Sequence, residues 1–328
     1  MMMHEDRRLF AFVLETIAKN SEIEADILEK DYYVSLFLKE LAKMQNDGLK
    51  AYFKGGTALY KALRAINRFS EDIDLSVDAR GVSRSQSKTM LERATKRYTS
   101  LPRVQGKGRS LKSSITAYYT YEPVTDVSEK QDVLERFGNV MIEATSFTIS
   151  EPTDAMTTAP MVYELANEEQ KMTLESYGIE PFSVQTISLE RIFVDKLFAA
   201  EAYLRRPNQE VDAAKHIYDL AVLSDNERTK SLLEDEELLG RILAIRMKEE
   251  LDRMDGIPDV LPREFTFFDD RRESTKEGFE RMQRLYVFDP RCRIGFDAAM
   301  DAMKGLEARL EKNRAWMDCR KAVKDCEQ

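Results

Sequence analysis

Phe53-Lys54-Gly55-Gly56-Thr57-Ala58-Leu59 and, a few residues on, Arg68-Phe69-Ser70-Glu71-Asp72-Ile73-Asp74-Leu75 decide how the rest of the chain reads. The first string is a short strand that runs into a glycine pair and opens a helix. The second places Asp72 and Asp74 one residue apart on an extended segment. Alternate side chains of a strand share a face, so Asp72 and Asp74 point one way while Ile73 and Leu75 point into the core. Two adjacent carboxylates repel each other unless a cation lies between them, and an all-oxygen donor set with strict geometry suits Mg²⁺. Gly55 and Gly56 let backbone N–H groups at a helix start approach a phosphate closely. A phosphate-binding turn of Gly55, Gly56 and Thr57 beside magnesium carboxylates points to chemistry on a nucleoside triphosphate.

Further residues can join that chemistry. Glu143 lies on the strand-like run Val140-Met141-Ile142-Glu143-Ala144-Thr145 and shares a face with Met141 and Thr145. It reads either as a solvent-facing acid or as a third metal ligand and base near an acceptor hydroxyl. Lys196 has Ile192, Phe193, Ala199 and Ala200 at helical spacing, so it interrupts an apolar stripe. Either its stem packs while the ammonium reaches water, or the ammonium is directed from the helical half at a triphosphate in the cleft. Asp219 follows Lys215 by four residues and reads as a surface pair or a site residue. Arg68 can pair with Glu71 or a phosphate, Lys54 can also meet a phosphate, and Ser70 can cap an element or bond the glycine loop.

The chain has 328 residues, room for two domains, and its 43% hydrophobic content fills a core. The three cysteines (Cys292, Cys319, Cys326) form no CxxC, and the only histidines are His4 and His216. That argues against a zinc site or disulfide framework and fits a reducing, cytoplasmic setting. Met1 to Arg8 carries no apolar run, and no 18-residue apolar stretch occurs, so neither export nor a membrane span is expected. The net charge of −9 disfavours a polyanionic partner, but its distribution does not. From Arg80 to Lys112 there are ten basic residues and one acid, Glu92, a local charge of +9. Arg84, Lys88, Arg93, Lys96 and Arg97 on a predicted helix make a footprint for polyphosphate or RNA, or else a solvated basic face.

Hydrophobic periodicity predicts helices over 5–20, 22–43, 57–65 and 84–99, with strands at 51–54, 73–77, 114–121 and 140–149. Pro102 to Gly108 and Pro152 to Pro160 read as loops, and Val184 to Ile187 as a short extended piece. From Ser188 the pattern is helical: 189–205, 211–223, 231–254, 276–285 and 294–326. The expected fold class is α+β, a mixed sheet with helices over 1–183 and an all-helical domain over 184–328 that completes the cleft.

The two opening strings resemble the AbiEii-type nucleotidyltransferase toxins of the DNA polymerase β-like nucleotidyltransferase superfamily. Glu29-Lys30-Asp31-Tyr32-Tyr33 is similar to the helix before that motif, and Val194-Asp195-Lys196-Leu197 and His216-Ile217-Tyr218-Asp219-Leu220 resemble its two helical motifs. The resemblance spans about residues 5 to 225. It implies a polymerase β-like catalytic domain, metals on Asp72 and Asp74 with Glu143 a looser third ligand, and Lys196 and Asp219 as the lysine and aspartate of the helical half. It also implies a type IV toxin–antitoxin system, in phage defence by abortive infection, whose antitoxin need not bind the toxin. Some relatives modify tRNA acceptor ends. Two departures stand out: Gly-Gly-Thr replaces the superfamily's usual Gly-Ser, and the family's acid near His216 is absent.

The expected function is transfer of a nucleoside monophosphate from an NTP to an acceptor hydroxyl, with two Mg²⁺ ions and RNA, such as a tRNA 3′ end, as acceptor. Transfer to a small molecule or a protein side chain, and a non-catalytic RNA- or partner-binding module, are the alternatives. Intact Asp72, Asp74 and Lys196 argue against the last.

Overall fold

The computed structural model describes residues 2–21, 23–126, 137–251 and 261–321. The expected helix ends at Glu22, 252–254 and 322–326 lie outside these residues, as does Cys326. The chain forms two compact units, Met1–Arg64 with Phe69–Ile187, and Ala65–Arg68 with Ser188–Gln328.

The first unit is α+β. Helices α1 (Arg7–Asn20) and α2 (Ala25–Asn46) precede strand β1 (Ala51–Lys54). One helical turn, α3 (Gly55–Thr57), continues as a π-helical turn over Ala58–Ala62, closed by Leu63 N–H donating to the Ala58 carbonyl at 2.9 Å. The helix expected to reach Ala65 ends earlier because Arg64 adopts a φ of +50°. Then come β2 (Ile73–Val77), α4 (Arg84–Lys96), β3 (Arg103–Ser110), β4 (Ser114–Thr120), β5 (Asn139–Thr145), β6 (Thr153–Thr158), α5 (Met161–Glu164), α6 (Glu168–Ser176) and β7 (Phe182–Ile187). The strands form one seven-stranded mixed sheet in the order β3-β4-β5-β2-β1-β7-β6.

Two expectations fail at the edges of that sheet. Residues 102–108 and 152–160 read as loops, but they supply β3 and β6, its two outermost strands. Gly106 and Gly108 give β3 the composition of a loop, and proline flanks both ends of β6 at Pro152 and Pro160. An edge strand needs one pairing partner, and pairing with β4 and β7 overrides weak local propensity.

One face of the sheet is apolar. Phe53, Ile73, Leu75, Ile142 and Ala144 are fully buried. Helix α4 lies across β2, β4 and β5 on that side, with Leu91 and Ala94 buried and the Tyr119 hydroxyl donating to the Thr95 carbonyl at 2.8 Å. Its start is set by a capping box between Ser83 and Gln86.

The second unit is helical in its described residues: α7 (Leu189–Leu204), α8 (Glu210–Leu223), α9 (Glu227–Glu234), α10 (Glu236–Leu251), α11 (Glu273–Tyr286), α12 (Phe296–Leu310) and α13 (Arg314–Lys321). Two expected long helices are each broken. The Asp235 carboxylate accepts from Leu238 N–H at 2.8 Å and starts α10 afresh. The Asn313 side chain accepts from Trp316 N–H at 3.3 Å and starts α13. Cys292 and Cys319 are free thiols.

Candidate active site

Sheet register builds the first cluster. Lys54 stands opposite Asp74, Asp74 beside Glu143 on the neighbouring parallel strand, and Glu143 opposite Thr116. These side chains form one transverse row on the face turned away from α4. Rows to either side, Ile73 with Ile142 and Leu75 with Ala144, are buried on the opposite face. The alternation expected from sequence therefore holds, except that β2 begins at Ile73 and Asp72 stands just before it.

The glycine turn closes over this row. Gly55 has a φ of +78°, a left-handed conformation that favours glycine. A Cβ at residue 55 would lie 2.2 Å from Asp74 Oδ2. Gly55 thus gives both the turn and the room for the carboxylate. Thr57 donates from Oγ1 to the Asp72 carbonyl at 2.5 Å and lies 2.9 Å from Ser70 Oγ. The threonine that departs from the usual Gly-Ser pattern is a tie between the turn and the Asp72 backbone. Lys54 reaches Thr145 Oγ1 at 3.2 Å.

Tyr118 belongs to this face and was not singled out from sequence. Burial, then the charges of Asp72 and Glu143, push its phenol above the ordinary value. The signal was present: in β4, Thr116 and Tyr118 alternate with the buried Ile115, Ala117 and Tyr119.

The donor chemistry of Asp72, Asp74 and Glu143 is all oxygen, and Asp74 and Glu143 are strand neighbours. Among the described residues, no group of three or more His, Cys, Asp or Glu side chains is gathered to hold a metal ion. Mg²⁺ commonly uses one or two carboxylates together with substrate phosphates rather than a complete protein cage. The carboxylate pair fits that habit.

The other predicted residues meet in the second unit. Arg68 donates through Nε to Asp219 Oδ1 and through a terminal nitrogen to Oδ2, both at 2.7 Å. Lys196 Nζ lies 2.8 Å from the same Oδ2. Asp219 is 0% exposed and Lys196 is 5% exposed. Burial alone would raise the Asp219 carboxyl, but Arg68 and then Lys196 outweigh it and hold the group below its ordinary value. Arg68 binds Asp219, and Lys215 pairs with Asp212 at 2.9 Å instead of with Asp219 as its spacing suggested. His216 packs against Tyr203 with the rings tilted by 37° and their centroids 5.0 Å apart, and among the described residues its buried Nδ1 has no hydrogen-bond partner. Burial, followed by the charges of Lys196, Arg68 and Lys215, lowers the pKa of this imidazole well below its ordinary value.

The basic helix residues Arg84, Lys88, Arg93, Lys96 and Arg97 belong to α4 and its C-cap, behind the sheet relative to the carboxylate row. Lys96 pairs with Glu92 at 3.3 Å.

A family model described as nucleotidyl transferase AbiEii toxin, type IV TA system, matches residues 36–302. The chain belongs to this family. The AbiEii match takes in both carboxylates, the glycine turn, Glu143, Lys196 and Asp219, and it runs well past residue 225, where the sequence by itself offered no likeness. Membership makes the chain a nucleotidyltransferase toxin of a type IV system, which has a cognate antitoxin. A comparison with curated proteins gives no match. Among the described residues no helix is long and apolar enough to cross a membrane.

Glu29-Lys30-Asp31 precede the AbiEii match, and each is buried with a partner. Glu29 accepts from the N–H groups of Val124 and Thr125. Lys30 donates to the Asn139 carbonyl at the start of β5. Asp31 takes Lys61 Nζ at 2.6 Å and Met161 N–H at 2.7 Å. The triplet anchors α2 to β5 and to the turn behind Gly55.

Proposed function

We propose that this AbiEii-family chain is a Mg²⁺-dependent enzyme that transfers a nucleoside monophosphate from an NTP to a hydroxyl of RNA, such as a tRNA 3′ end, in the cytoplasm. The observation that supports it most is the in-register row Lys54–Asp74–Glu143, with Gly55 packed against the Asp74 carboxylate. The acceptor oxygen attacks the α-phosphorus, a new O–P bond forms, the bond to the bridging oxygen breaks, and pyrophosphate leaves. Asp72 and Asp74 are proposed to hold the metal, with Glu143 beside them placed to take the proton of the acceptor hydroxyl. Bound Mg²⁺ supplies charge neutralisation on the phosphates and a lowered pKa for that hydroxyl. Gly55, Gly56 and Thr57 offer backbone N–H groups to phosphate oxygens, and Lys54 and Ser70 border them. Most of the protein's work in such a transfer is positioning and charge stabilisation.

Arg68 stands four residues before Asp72 in the chain. Asp219 and Lys196 fix its guanidinium within the second unit, and we assign them a positioning role for Arg68. The deciding experiment incubates the protein with each α-labelled NTP, total RNA and Mg²⁺. Label joined to RNA with release of pyrophosphate supports the reading. Label on protein or on a small molecule moves the acceptor to another class, and no transfer with any NTP removes the enzyme.

A further inference from the structure

Strand β3, read as a loop from sequence, is a cationic edge on the carboxylate-bearing face. Its residues from Gln105 to Ser110 are exposed. Gly106 and Gly108 take φ values of +75° and +115°. A Cβ at residue 108 would lie 2.3 Å from the Thr116 carbonyl oxygen, so only glycine lets the two strands approach there. The register jumps between Arg103, opposite Tyr119, and Gly108, opposite Ala117. Five steps of β3 thus face two of β4, and the surplus bulges outward. Lys107 lies in that bulge with Nζ 4.6 Å from the centre of the Tyr118 ring. Arg109 stands opposite Thr116 and so extends the row Lys54–Asp74–Glu143–Thr116 to the sheet edge. A cavity of about 230 Å³ is lined by Arg103 to Ser110 together with Thr116, Ala117 and Lys96 of α4, so it opens around the sheet edge towards α4 and is not confined to the carboxylate face. Among the described residues neither Lys107 nor Arg109 is in an ion pair.

These features fit one kind of ligand. Cations with an aromatic face beside them are what a single-stranded polynucleotide needs, phosphates to the cations and a base to the ring. Three strand spacings, roughly 14 Å, separate Arg109 from Asp74, so the strand lies to one side of the carboxylates. The α4 cations are placed differently: Arg84 and Lys88 lie about 18 and 12 Å along the helix from Lys96, on the opposite face of the sheet.

We propose that β3 is the track for a single-stranded RNA acceptor, with Lys107 and Arg109 on its phosphates and Tyr118 as the platform for one base. The incoming base takes the ring face that Lys107 covers, and the released ammonium meets the adjoining phosphate. The row then leads the RNA end from Arg109 past Thr116 to Glu143. This rests on the transferase reading for the identity of the acceptor, but it is tested by binding alone.

The test measures anisotropy of a labelled 12-nucleotide single-stranded RNA with the full chain, without NTP, across a salt series. The double variant Lys107→Glu/Arg109→Glu should weaken binding at least ~10-fold and lower the salt slope by about 1.4, at ~0.7 per lost phosphate contact. Tyr118→Ala should cost roughly 10-fold and Tyr118→Phe little, since stacking needs the ring and not the hydroxyl. Arg84→Glu/Lys88→Glu should bind almost normally. Circular dichroism melts confirm that each variant is folded. Unchanged affinity in the β3 variants, or an equal loss in the Arg84/Lys88 variant, overturns the track. Tighter binding of single-stranded DNA than of RNA overturns the choice of RNA. Pyrophosphate release is scored separately. RNA held through β3 with no release from any NTP removes the transferase reading and leaves the track. Release with RNA binding indifferent to β3 removes the track alone.

Discussion

The Asp74 carboxylate occupies the space that a side chain at residue 55 would need, with Oδ2 only 2.2 Å from the ideal Cβ position on Gly55. The glycine turn and the carboxylate are therefore one device. Gly55→Ala adds strain of about 1–2 kcal/mol for a left-handed residue and pushes Asp74 aside. Displacement of about 1 Å at a reacting centre can cost ~10²-fold in rate. Nucleotidyl transfer by the variant should fall on that scale, with a melting temperature only modestly lowered. Normal turnover in a folded Gly55→Ala protein would show that Asp74 has no exacting position to keep.

Asp72→Asn and Asp74→Asn keep the size of the side chain and remove its charge. Each should reduce transfer by ~10³-fold, the scale of a lost electrostatic contact at a reaction centre. Chelation of Mg²⁺ with EDTA should abolish transfer in the parent protein. Full transfer in either variant, or in EDTA, would sink the metal assignment.

Tyr118 reports on the carboxylates without any assay of turnover. Its phenol is raised by burial first and then by Asp72 and Glu143. Removing either negative charge favours the phenolate, so Glu143→Gln should lower the Tyr118 pKa. Carbon-13 NMR of labelled tyrosine during a base titration reads this directly. An unmoved Tyr118 resonance would place Glu143 out of reach of the ring.

The Arg68–Asp219–Lys196 cluster should respond unequally to its members. Asp219→Asn leaves two buried cations facing each other and should cost about 3–5 kcal/mol, as expected for a broken buried pair. Lys196→Met leaves Asp219 neutralised by the two hydrogen bonds from Arg68, so its cost should be clearly smaller. Urea denaturation separates the two. Equal losses would mean that Arg68 does not suffice to satisfy Asp219.

Acid should act on the second unit before the carboxylates titrate. The His216 pKa is lowered well below its ordinary value, by burial and then by Lys196, Arg68 and Lys215. Below about pH 6.5 the unfolded chain takes up that proton and the folded one does not. Stability should therefore decline as pH falls from ~6.5 towards ~5. His4 in the first unit is also lowered, chiefly by burial, and contributes with the same sign. His216→Phe should remove its share of the slope. For Asp219, whose folded pKa is depressed, the contribution is present above ~3.9 and is lost as pH falls through its folded value. Thermal melts from pH 7.5 to 5 that show no slope, or the same slope in His216→Phe, would contradict this account.

Local pattern determined a good deal. The glycine pair, the alternation of Asp72 and Asp74 with Ile73 and Leu75, the mixed α/β character up to the 180s and the helices beyond were legible because they rest on periods of two and about four residues. What needed the tertiary structure was every partnership over long sequence separation. The same two oxygens of Asp219 bind Arg68, 151 residues away, and Lys196, on a neighbouring helix. Sequence spacing pointed instead to Lys215, because only i to i+4 neighbours can be seen along one helix. Likewise β3 and β6 carry loop-like residues and become strands only because β4 and β7 offer them hydrogen bonds. That pairing, not anything in residues 103–110 themselves, aligns Arg109 with Glu143 and Asp74. Register is set by which backbone groups meet across the sheet, and one chain read from end to end does not contain that information in any local stretch.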